Sequence, residues 1–282
     1  MPFSPSRRLW LSACAAGLLS ACASSGPDPL PEPPPDAELA SLPLRVLMTQ
    51  DFADAHRALE SRLMLPVQAR TVSGNGTVPV VTQQLAGHLQ EGAAADVVVA
   101  PRAVMEQLLA QRLVRRDSLI DVLRTPLVAL VQAGRSLPPL QTEAELRQLL
   151  LRTPSLAYPS SDGSDFIEKK LLPQLGIQAQ MLPKSIKVFG PRVSQLAAAG
   201  EAELGLQSLS ALAGSKGVSV IGPLPAPWSY DTVYTAAATM HGNSLAGAQA
   251  LLRFYQREAA QHNWAGSGWE VLAQPAQAHP QP

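Results

Sequence analysis

Short apolar runs alternate with longer amphipathic segments along most of this chain, and this alternation constrains the fold more than any other feature. We predict strands at residues 44–48, 67–72, 95–99, 127–131, 155–158, 186–188, 204–207, 218–221 and 233–239. We predict helices at residues 52–65, 80–90, 102–113, 143–151, 165–175, 193–199 and 244–262. Such β-α alternation is typical of parallel sheets covered by helices, which bind ligands at the carboxyl ends of their strands. The sequence therefore predicts an α/β fold.

The first 21 residues have the pattern of an export signal. Arg7 and Arg8 precede an apolar and small-residue stretch at residues 9–19, and the letters LSAC then end at Cys22. The stretch is shorter than the roughly 20 residues that a membrane-spanning helix needs. We therefore interpret residues 1–21 as a signal peptide that is removed on export.

The letters LSAC resemble the lipobox of bacterial lipoproteins, whose cysteine becomes the lipid-modified first residue of the mature protein. Cys22 is the better acceptor, because too little apolar sequence precedes Cys14. Ala23 follows it, and in the lipoprotein family a residue other than aspartate implies the outer membrane. The alternative is an ordinary signal peptide with two incidental cysteines. The resemblance implies a periplasm-facing protein that is anchored to a membrane through lipid on Cys22.

Composition indicates a globular region between two less structured segments. Residues 22–43 contain the lipidated cysteine and a proline-rich linker, whose prolines favour extended polyproline II. Residues 44–272 can form one large domain or two small lobes. The tail at residues 273–282 has no large apolar side chain and is expected to be disordered. Because 22 Lys plus Arg balance 22 Asp plus Glu, no excess charge favours nucleic acid.

The sequence contains no recognisable catalytic pattern. Its cysteines lie at positions 14 and 22, so the later residues have no disulfide, thiol nucleophile or cysteine metal site. Histidines are scattered over positions 56, 88, 241, 262 and 279, and no zinc-protease, nucleophile-elbow or phosphate-loop motif is present. Together with the export signal and the linker, this favours a binding protein without catalytic residues, metal or cofactor over an enzyme.

Three predicted strand-to-helix junctions are rich in hydroxyl, amide and glycine residues. They read TQD at residues 49–51, SGNGT at residues 73–77 and PSSDGS at residues 159–164. A helix N-terminus offers unpaired N–H groups and partial positive charge to an anion, and hydroxyls add further donors. Helix capping, which uses the same residue types, is the alternative for each junction. Because strand carboxyl ends converge, we predict one shared anion pocket. Asp162 and Asp165 are expected to cap the following helix, and the role of Asp51 stays open.

Two longer blocks resemble the molybdate-binding proteins of ABC importers. Residues 90–100 read QEGAAADVVVA and are followed by QRLV at residues 111–114, and residues 193–205 read VSQLAAAGEAELG. The resemblance covers nearly all of the chain after the linker. It implies a type II periplasmic binding fold, in which two α/β lobes with mixed, mostly parallel sheets are joined by crossing strands and close like a hinge on an anion. The implied lobes are residues 44–125 plus 229–272 for lobe 1 and residues 126–228 for lobe 2.

In that family, hydroxyls and backbone amides hold a tetrahedral oxyanion. Carried over by position, the implied ligand contacts fall on Thr49, Gln50, Ser73, Gly74, Asn75, Ser160, Ser161, Gly163, Ser164, Val193, Gln207 and Ser208. The sequence departs from the family at Ser208, which stands where the family has a tyrosine, and in the longer second loop SGNGTVP. These departures indicate a divergent branch of the family.

Three cations, Lys184, Lys187 and Arg192, precede the predicted helix at residues 193–199. An arginine can hold a carboxylate through two hydrogen bonds, although such residues are commonly solvated on surface loops. If Arg192 binds the ligand, a small di- or tricarboxylate becomes as plausible as molybdate.

We therefore predict a monomeric, lipid-anchored solute-binding protein. It would capture a small anion, either a molybdate-like oxyanion or a small organic acid, for an inner-membrane ABC permease. Because an outer-membrane anchor would separate the protein from that permease, a sensor or scavenger without transport is one alternative. An envelope enzyme or assembly factor on the same scaffold is the other.

Overall fold

The computed structural model of the protein describes residues 43–74, 76–91, 95–135, 140–189 and 192–272. These residues belong to one compact unit, Asp36–Pro282. The predicted signal peptide, Cys22, nearly all of the predicted linker and the predicted tail lie outside the described residues. Within the described ranges, no helix combines the length and the apolar character that crossing a membrane requires.

The strands form one mixed sheet. They are β1 Leu44–Thr49, β2 Val67–Val72, β3 Val97–Pro101, β4 Ile120–Gln132, β5 Leu156–Pro159, β6 Ser185–Val188, β7 Leu204–Ser208, β8 Val218–Pro223 and β9 Asp231–Ala238. Their order is β2-β1-β3-β9-β4-β7-β5-β6, and β8 pairs with β4. β1 pairs in parallel with β2 and β3, as β5 does with β6 and β7. β9 runs antiparallel to β3 and β4, and β4 runs antiparallel to β7 and β8.

Helices connect these strands as the alternation predicts. The α-helices are α1 Ala53–Glu60, α2 Val78–Gln90, α3 Arg102–Ala110, α4 Glu143–Arg152, α5 Asp162–Phe166, α6 Leu172–Gln174, α7 Gln178–Met181, α8 Arg192–Ala199 and α9 Leu245–Gln261. A π-helical segment, Ile167–Leu171, joins α5 to α6. The 3-10 turns are Gln50–Phe52, Arg116–Ser118, Leu182–Lys184 and Leu209–Leu212. The short helices α6 and α7 and the 3-10 turns are too brief to leave a periodic signal in the sequence.

Two predicted helices differ most from the structure in their limits, and the others differ by up to three residues at an end. The helix predicted at residues 52–65 ends at Glu60, where the Arg62 amide bonds to the Leu59 carbonyl in a tighter turn. The helix predicted at residues 165–175 begins earlier, because Ser161 is its N-cap and accepts a hydrogen bond from the Gly163 amide at 3.2 Å. The prediction that Asp162 and Asp165 cap this helix is therefore wrong.

Strand β4 connects two halves of the sheet. Its residues 120–126 pair with β9, and its residues 127–132 pair with β7 and β8. The partners change at Pro126, whose nitrogen carries no hydrogen, and the next amide, that of Leu127, donates to the Tyr230 carbonyl at 2.8 Å. We call the half with β1, β2, β3 and β9 the β1 lobe and the half with β5, β6, β7 and β8 the β5 lobe. The predicted lobe boundaries stay a prediction. The first of them lies between residues 125 and 126, one residue before the change of partners in β4.

Each lobe has its own apolar core. Phe52, Leu59 and Tyr255 are among the largest fully buried side chains in the β1 lobe. Leu146 and Leu156 are buried to the same extent in the β5 lobe. Because burying one such side chain contributes about 1.5–3 kcal/mol, each lobe holds its half of the sheet in place with its own side chains. The two lobes thus have separate cores on either side of the space between them.

Candidate functional site

A cavity of about 320 Å³ lies between the lobes, where the carboxyl ends of β1, β5 and β7 meet. The β1 lobe lines it with Gln50, Asp51, Asp54, Gly74 and Tyr234. The β5 lobe lines it with Pro159, Ser160, Ser161, Asp162, Gln207, Ser208, Ser210, Ala211 and Ala213. The volume lies within the range of about 300–1,000 Å³ that is usual for small-molecule sites.

Six of the residues predicted to bind a ligand line this cavity. They are Gln50, Gly74, Ser160, Ser161, Gln207 and Ser208. They come from junctions after four different strands, and the structure brings these junctions together at one edge of the sheet. Whether these residues bind a solute stays a prediction.

The other predicted site residues lie elsewhere. Thr49 is fully buried at the end of β1, and Ser164 is fully buried in α5, where its hydroxyl donates to the Ser161 carbonyl at 2.7 Å. Gly163 is buried in the same helix, and Ser73 is exposed after β2. None of these four is among the residues that line the cavity, and Asn75 lies outside the described residues.

The cations before α8 also lie outside the cavity lining. Arg192 is exposed at the first turn of α8, and the Val193 side chain is fully buried in the core of the β5 lobe. Lys184 donates from Nζ to the Leu151 carbonyl at 2.9 Å, at the end of α4, and Lys187 forms an ion pair with Glu168 at 2.8 Å. The two lysines are thus engaged in structural contacts of the β5 lobe.

A main-chain hydrogen bond joins the two lobes beside the cavity. The Gly76 amide, in the loop after β2, donates to the Ser160 carbonyl at 2.8 Å. The Ser160 amide donates in turn to the Val188 carbonyl at 2.7 Å, so the loop after β5 is itself held by β6. Gly76 has a φ of +142°, a conformation that glycine adopts without strain. Gly76 of the sequence feature SGNGT thus contacts the other lobe.

Asp51 projects into the cavity from the 3-10 turn that follows β1. Burial, together with the negative charge of Asp162, raises its pKa from 3.8 to about 6. The residue is exposed, and it lines the recess between the lobes. A carboxyl group with this pKa exchanges its proton near neutral pH.

Asp162 faces the cavity from the β5 lobe. Its carboxylate accepts hydrogen bonds from the Tyr230 hydroxyl at 3.0 Å and from Thr232 Oγ1 at 2.8 Å. Burial raises its pKa, and these two donors oppose that shift. Tyr230 and Thr232 lie at the start of β9, so this carboxylate is tied to the strand that neighbours β4.

Two buried polar atoms near the cavity have no hydrogen-bond partner among the described residues. They are Gln207 Oε1 and Thr49 Oγ1, on residues that are 2% and 0% exposed. Buried polar groups are nearly always paired in folded proteins, so such atoms commonly mark the place of a bound molecule. Gln207 lines the cavity, and its amide is therefore a candidate ligand contact.

The charge of the cavity is acidic. Among the described residues that line it, Asp51, Asp54 and Asp162 are the charged ones, and none is a lysine, arginine or histidine. Within the same described ranges, no group of three or more His, Cys, Asp and Glu side chains is arranged to hold a metal ion. A solute that brings a proton or a hydrogen-bond donor fits this lining better than a fully ionised one.

The sequence shows where the two central carboxyl groups lie in the chain, but it does not show their burial or their hydrogen-bond donors. Asp51 and Asp162 both lie within three residues of a strand end, near hydroxyl residues that were predicted to bind. Burial raises the pKa of both groups, and the charge of Asp162 further raises that of Asp51. The donors to Asp162 come from residues about 70 positions later. Neither property is visible in the local sequence.

Comparison with known proteins agrees with this architecture. The sequence profile of the family described as bacterial extracellular solute-binding protein matches residues 69–270. A curated relative, aconitate isomerase from a Pseudomonas species, is 27% identical over 194 residues, which make up 68% of this chain and 74% of the relative.

Solved structures with the same fold are similar at low sequence identity. A protein described as the substrate-binding domain of a molybdenum ABC transporter from Clostridium difficile has a TM-score of 0.64 at 15% identity, over 82% of this chain and 99% of that one. The periplasmic molybdate-binding protein of Azotobacter vinelandii has a TM-score of 0.55 at 18% identity, over 82% and 100% of the two chains. The chain thus has the two-lobed fold of periplasmic binding proteins.

Proposed function

Because the chain belongs to the family of bacterial extracellular solute-binding proteins, we propose that it captures a small organic acid between its lobes and delivers it to an inner-membrane ABC permease. The observation that carries this proposal is the cavity at the strand ends, to which both lobes contribute polar side chains. Closure of the lobes on the solute would exclude water from these contacts, as in other hinged binding proteins.

The size of the cavity favours an organic acid over an inorganic oxyanion. About 320 Å³ is far more than a five-atom oxyanion fills. Either kind of anion would face Asp51 and Asp162 without a lining cation to balance them, so the proposed binding includes a shared proton. An organic acid is a weak acid, so a single proton can be shared between its carboxylate and Asp51. The relative that is 27% identical is named for aconitate, a tricarboxylic acid.

The neutral donors of the cavity are suited to the remaining carboxylate oxygens of such an acid. Ser160 and Ser208 offer hydroxyl groups from the β5 lobe, and Gln50 offers a side-chain amide from the β1 lobe. Burial, with the charges of Asp51 and Asp162, raises the pKa of Tyr234 well above its usual value, so its hydroxyl stays protonated and able to donate.

The place of the protein in the cell follows from its N-terminal sequence. We propose that residues 1–21 are removed on export, that Cys22 carries the lipid anchor and that the linker holds the lobes away from the membrane. We propose an anchor in the outer membrane, and this position keeps capture for sensing or scavenging as the alternative to delivery. Labelling with a radioactive fatty acid, lost in a Cys22→Ala variant, would test the anchor.

Calorimetric titration of the purified mature protein with trans-aconitate, citrate and molybdate tests the ligand class. We expect an organic acid to bind and molybdate to bind far more weakly or not at all. At a concentration of about 100 times its Kd, the bound acid should stabilise the protein by about 2.7 kcal/mol. Ser208→Ala should weaken binding, whereas Ser61→Ala, at an exposed position after α1, should not. Tighter binding of molybdate than of any organic acid would contradict the proposal.

A second candidate function is isomerisation of an unsaturated organic acid. Two observations favour it, namely the name of the aconitate isomerase relative and the carboxyl group of Asp51, whose pKa of about 6 suits proton transfer. Such an activity would use the same cavity and the same ligand class. Incubating the protein with cis-aconitate and separating the isomers by chromatography distinguishes an isomerase from a binding protein.

A further inference from the structure

We propose that Asp51 is the catalytic residue of this cavity, where it moves a proton between two carbon atoms of a bound unsaturated carboxylic acid. The inference rests on the proposed binding of an organic acid between the lobes. It adds to that binding a chemical step, a named residue and a substrate class, which is an acid with a methylene carbon next to both a carboxylate and a carbon–carbon double bond.

The position of Asp51 is held by its neighbour Phe52, which packs in the core of the β1 lobe. Phe52 is fully buried and stacks on Tyr234, with ring centroids 5.6 Å apart and an angle of 24° between the rings. The ring of Trp269 packs edge-on against Phe52 at 5.8 Å. These contacts hold the 3-10 turn after β1 in one orientation. Because a functional group on a rigid element is placed more accurately than one on a loose loop, Asp51 is well suited to act on a bound solute.

Gly74, in the loop after β2, lies against the Asp51 carboxylate. A β-carbon on Gly74 would lie only 2.1 Å from Asp51 Oδ2, so the absence of a side chain at Gly74 is what admits the carboxylate. Gly74 and Asp51 both line the cavity. The carboxylate is therefore held between a glycine backbone and the place where a solute would bind.

The charged and titratable groups around Asp51 set its proton affinity. Asp162 faces it from the β5 lobe and raises its pKa, and the Tyr234 hydroxyl faces the cavity from β9. Asp54, on α1, is 79% exposed and forms an ion pair with Arg57 at 2.7 Å, so its carboxylate is turned toward solvent. With a pKa of about 6, Asp51 can accept a proton near neutral pH and release it again.

The proposed step balances without any co-reactant. The Asp51 carboxylate removes a proton from the methylene carbon, and the C–H electron pair forms a new double bond to the adjacent carbon. The π pair of the original double bond moves to its far carbon, which takes the proton back from Asp51. Negative charge passes through the substrate's carboxylate oxygens, where the Ser160 and Ser208 hydroxyls and the Gln50 amide can donate hydrogen bonds. The product is a double-bond isomer of the substrate.

Proton exchange with heavy water tests the inference directly. The mature protein is incubated in D₂O with cis-aconitate, trans-aconitate or itaconate, and proton NMR follows both deuterium entry at carbon and isomer formation. We expect exchange with at least one of these acids. In Asp51→Asn, exchange should fall by at least about 100-fold while calorimetric binding persists, because the amide keeps the shape of the side chain but cannot carry the proton.

Control variants separate the possible outcomes. Asp117→Asn changes an exposed aspartate in another 3-10 turn and should leave exchange unchanged. If Asp51→Asn fails to fold, Asp51→Glu takes its place. This variant keeps a carboxyl group and should retain part of the exchange. Binding of these acids without any exchange would overturn the inference and leave the proposed binding function intact. Unchanged exchange in Asp51→Asn would overturn it as well, and failure of every acid to bind would remove the proposed function itself.

Discussion

Gly74 and Asp51 are so close that a β-carbon on Gly74 would lie 2.1 Å from Asp51 Oδ2. Gly74 has no positive φ that would exclude an alanine, and the atom in conflict is the end of a side chain. A methyl group at this position would therefore displace the carboxylate and leave the backbone in place. The pair makes it possible to test the cavity without unfolding the protein.

Gly74→Ala should weaken binding of the organic acid at least about tenfold, a loss of about 1.4 kcal/mol, while the free energy of unfolding changes little. Gly87→Ala is the matched control, because a β-carbon there meets no atom within 4 Å in the middle of α2. It should stabilise the protein by about 0.5–1 kcal/mol, since alanine favours helix, and leave binding unchanged. Titration calorimetry and urea unfolding measure the two effects. Normal affinity in Gly74→Ala would mean that Asp51 does not contact the solute.

Asp51→Asn should raise the melting temperature at about pH 8. The folded pKa of about 6 lies above the value of 3.8 for an unperturbed aspartate, so the folded state holds this proton more tightly than the unfolded state. Stability from Asp51 therefore falls as pH rises from about 4 through about 6, and the unfavourable charge is fully present above that range. Asparagine carries no charge, so the advantage of the variant should vanish below about pH 4.

Differential scanning calorimetry across this pH range measures the effect. Asp117→Asn serves as the control, since the Asp117 side chain is 71% exposed, and it should show no such dependence. An Asp51→Asn variant that is less stable than the parent at high pH would contradict the burial of this carboxyl group.

The same carboxyl group predicts how solute affinity depends on pH. Protonated Asp51 can donate a hydrogen bond to a bound carboxylate, whereas ionised Asp51 repels it. Affinity for an organic acid should therefore rise as pH falls through about 6. In Asp51→Asn the step at pH 6 should be absent. Calorimetric titrations at closely spaced pH values would reveal it, and a flat profile for the parent protein would exclude proton sharing.

Thr232→Val should destabilise the protein by about 2 kcal/mol, the usual loss for a buried hydrogen bond to a charged group. Thr232 Oγ1 donates to Asp162 at 2.8 Å, and valine has the same shape without the hydroxyl. Urea unfolding measures the change at neutral pH. At acid pH, where Asp162 is protonated, the difference from the parent should shrink. A loss of equal size at both pH values would assign it to packing.

Asp96→Ala should destabilise the protein by about 3 kcal/mol without altering the affinity for solute. The carboxylate of Asp96 is 2% exposed and accepts hydrogen bonds from the amides of Arg45 at 2.8 Å, Asn243 at 2.6 Å and Ser244 at 3.2 Å. It thereby joins β1 to the start of α9. Reduced affinity in a folded Asp96→Ala protein would show that this contact also governs the cavity.

The block at residues 90–100, which resembles molybdate-binding proteins, contains Asp96, whose contacts are structural. None of the described residues of this block lines the cavity. Most strands and helices could be predicted because their periodicity is local. The double role of β4 could not, since the apolar run at residues 127–131 gives no sign that six earlier residues of the same strand pair with β9. Long-range pairing of this kind depends on tertiary packing.

The sequence predicted six of the residues that line the cavity, but it did not predict the acidic character of the cavity. Ser160, Ser208 and Gln50 follow strand ends, and strand ends converge in any sheet of this type. The acidic character of the cavity depends on the Asp51 and Asp162 side chains, which line it, whereas Arg192 is exposed and is not among the lining residues. Side-chain direction is set by neighbours that are distant in sequence, such as Thr232.

The bond between the Gly76 amide and the Ser160 carbonyl involves main-chain atoms only. Position 76 must keep a residue that tolerates its φ of +142°, whereas the residue at position 160 can change its side chain without losing the carbonyl that accepts the bond. Substitutions at position 160 can therefore change the specificity of the cavity without removing the main-chain hydrogen bond between the two lobes.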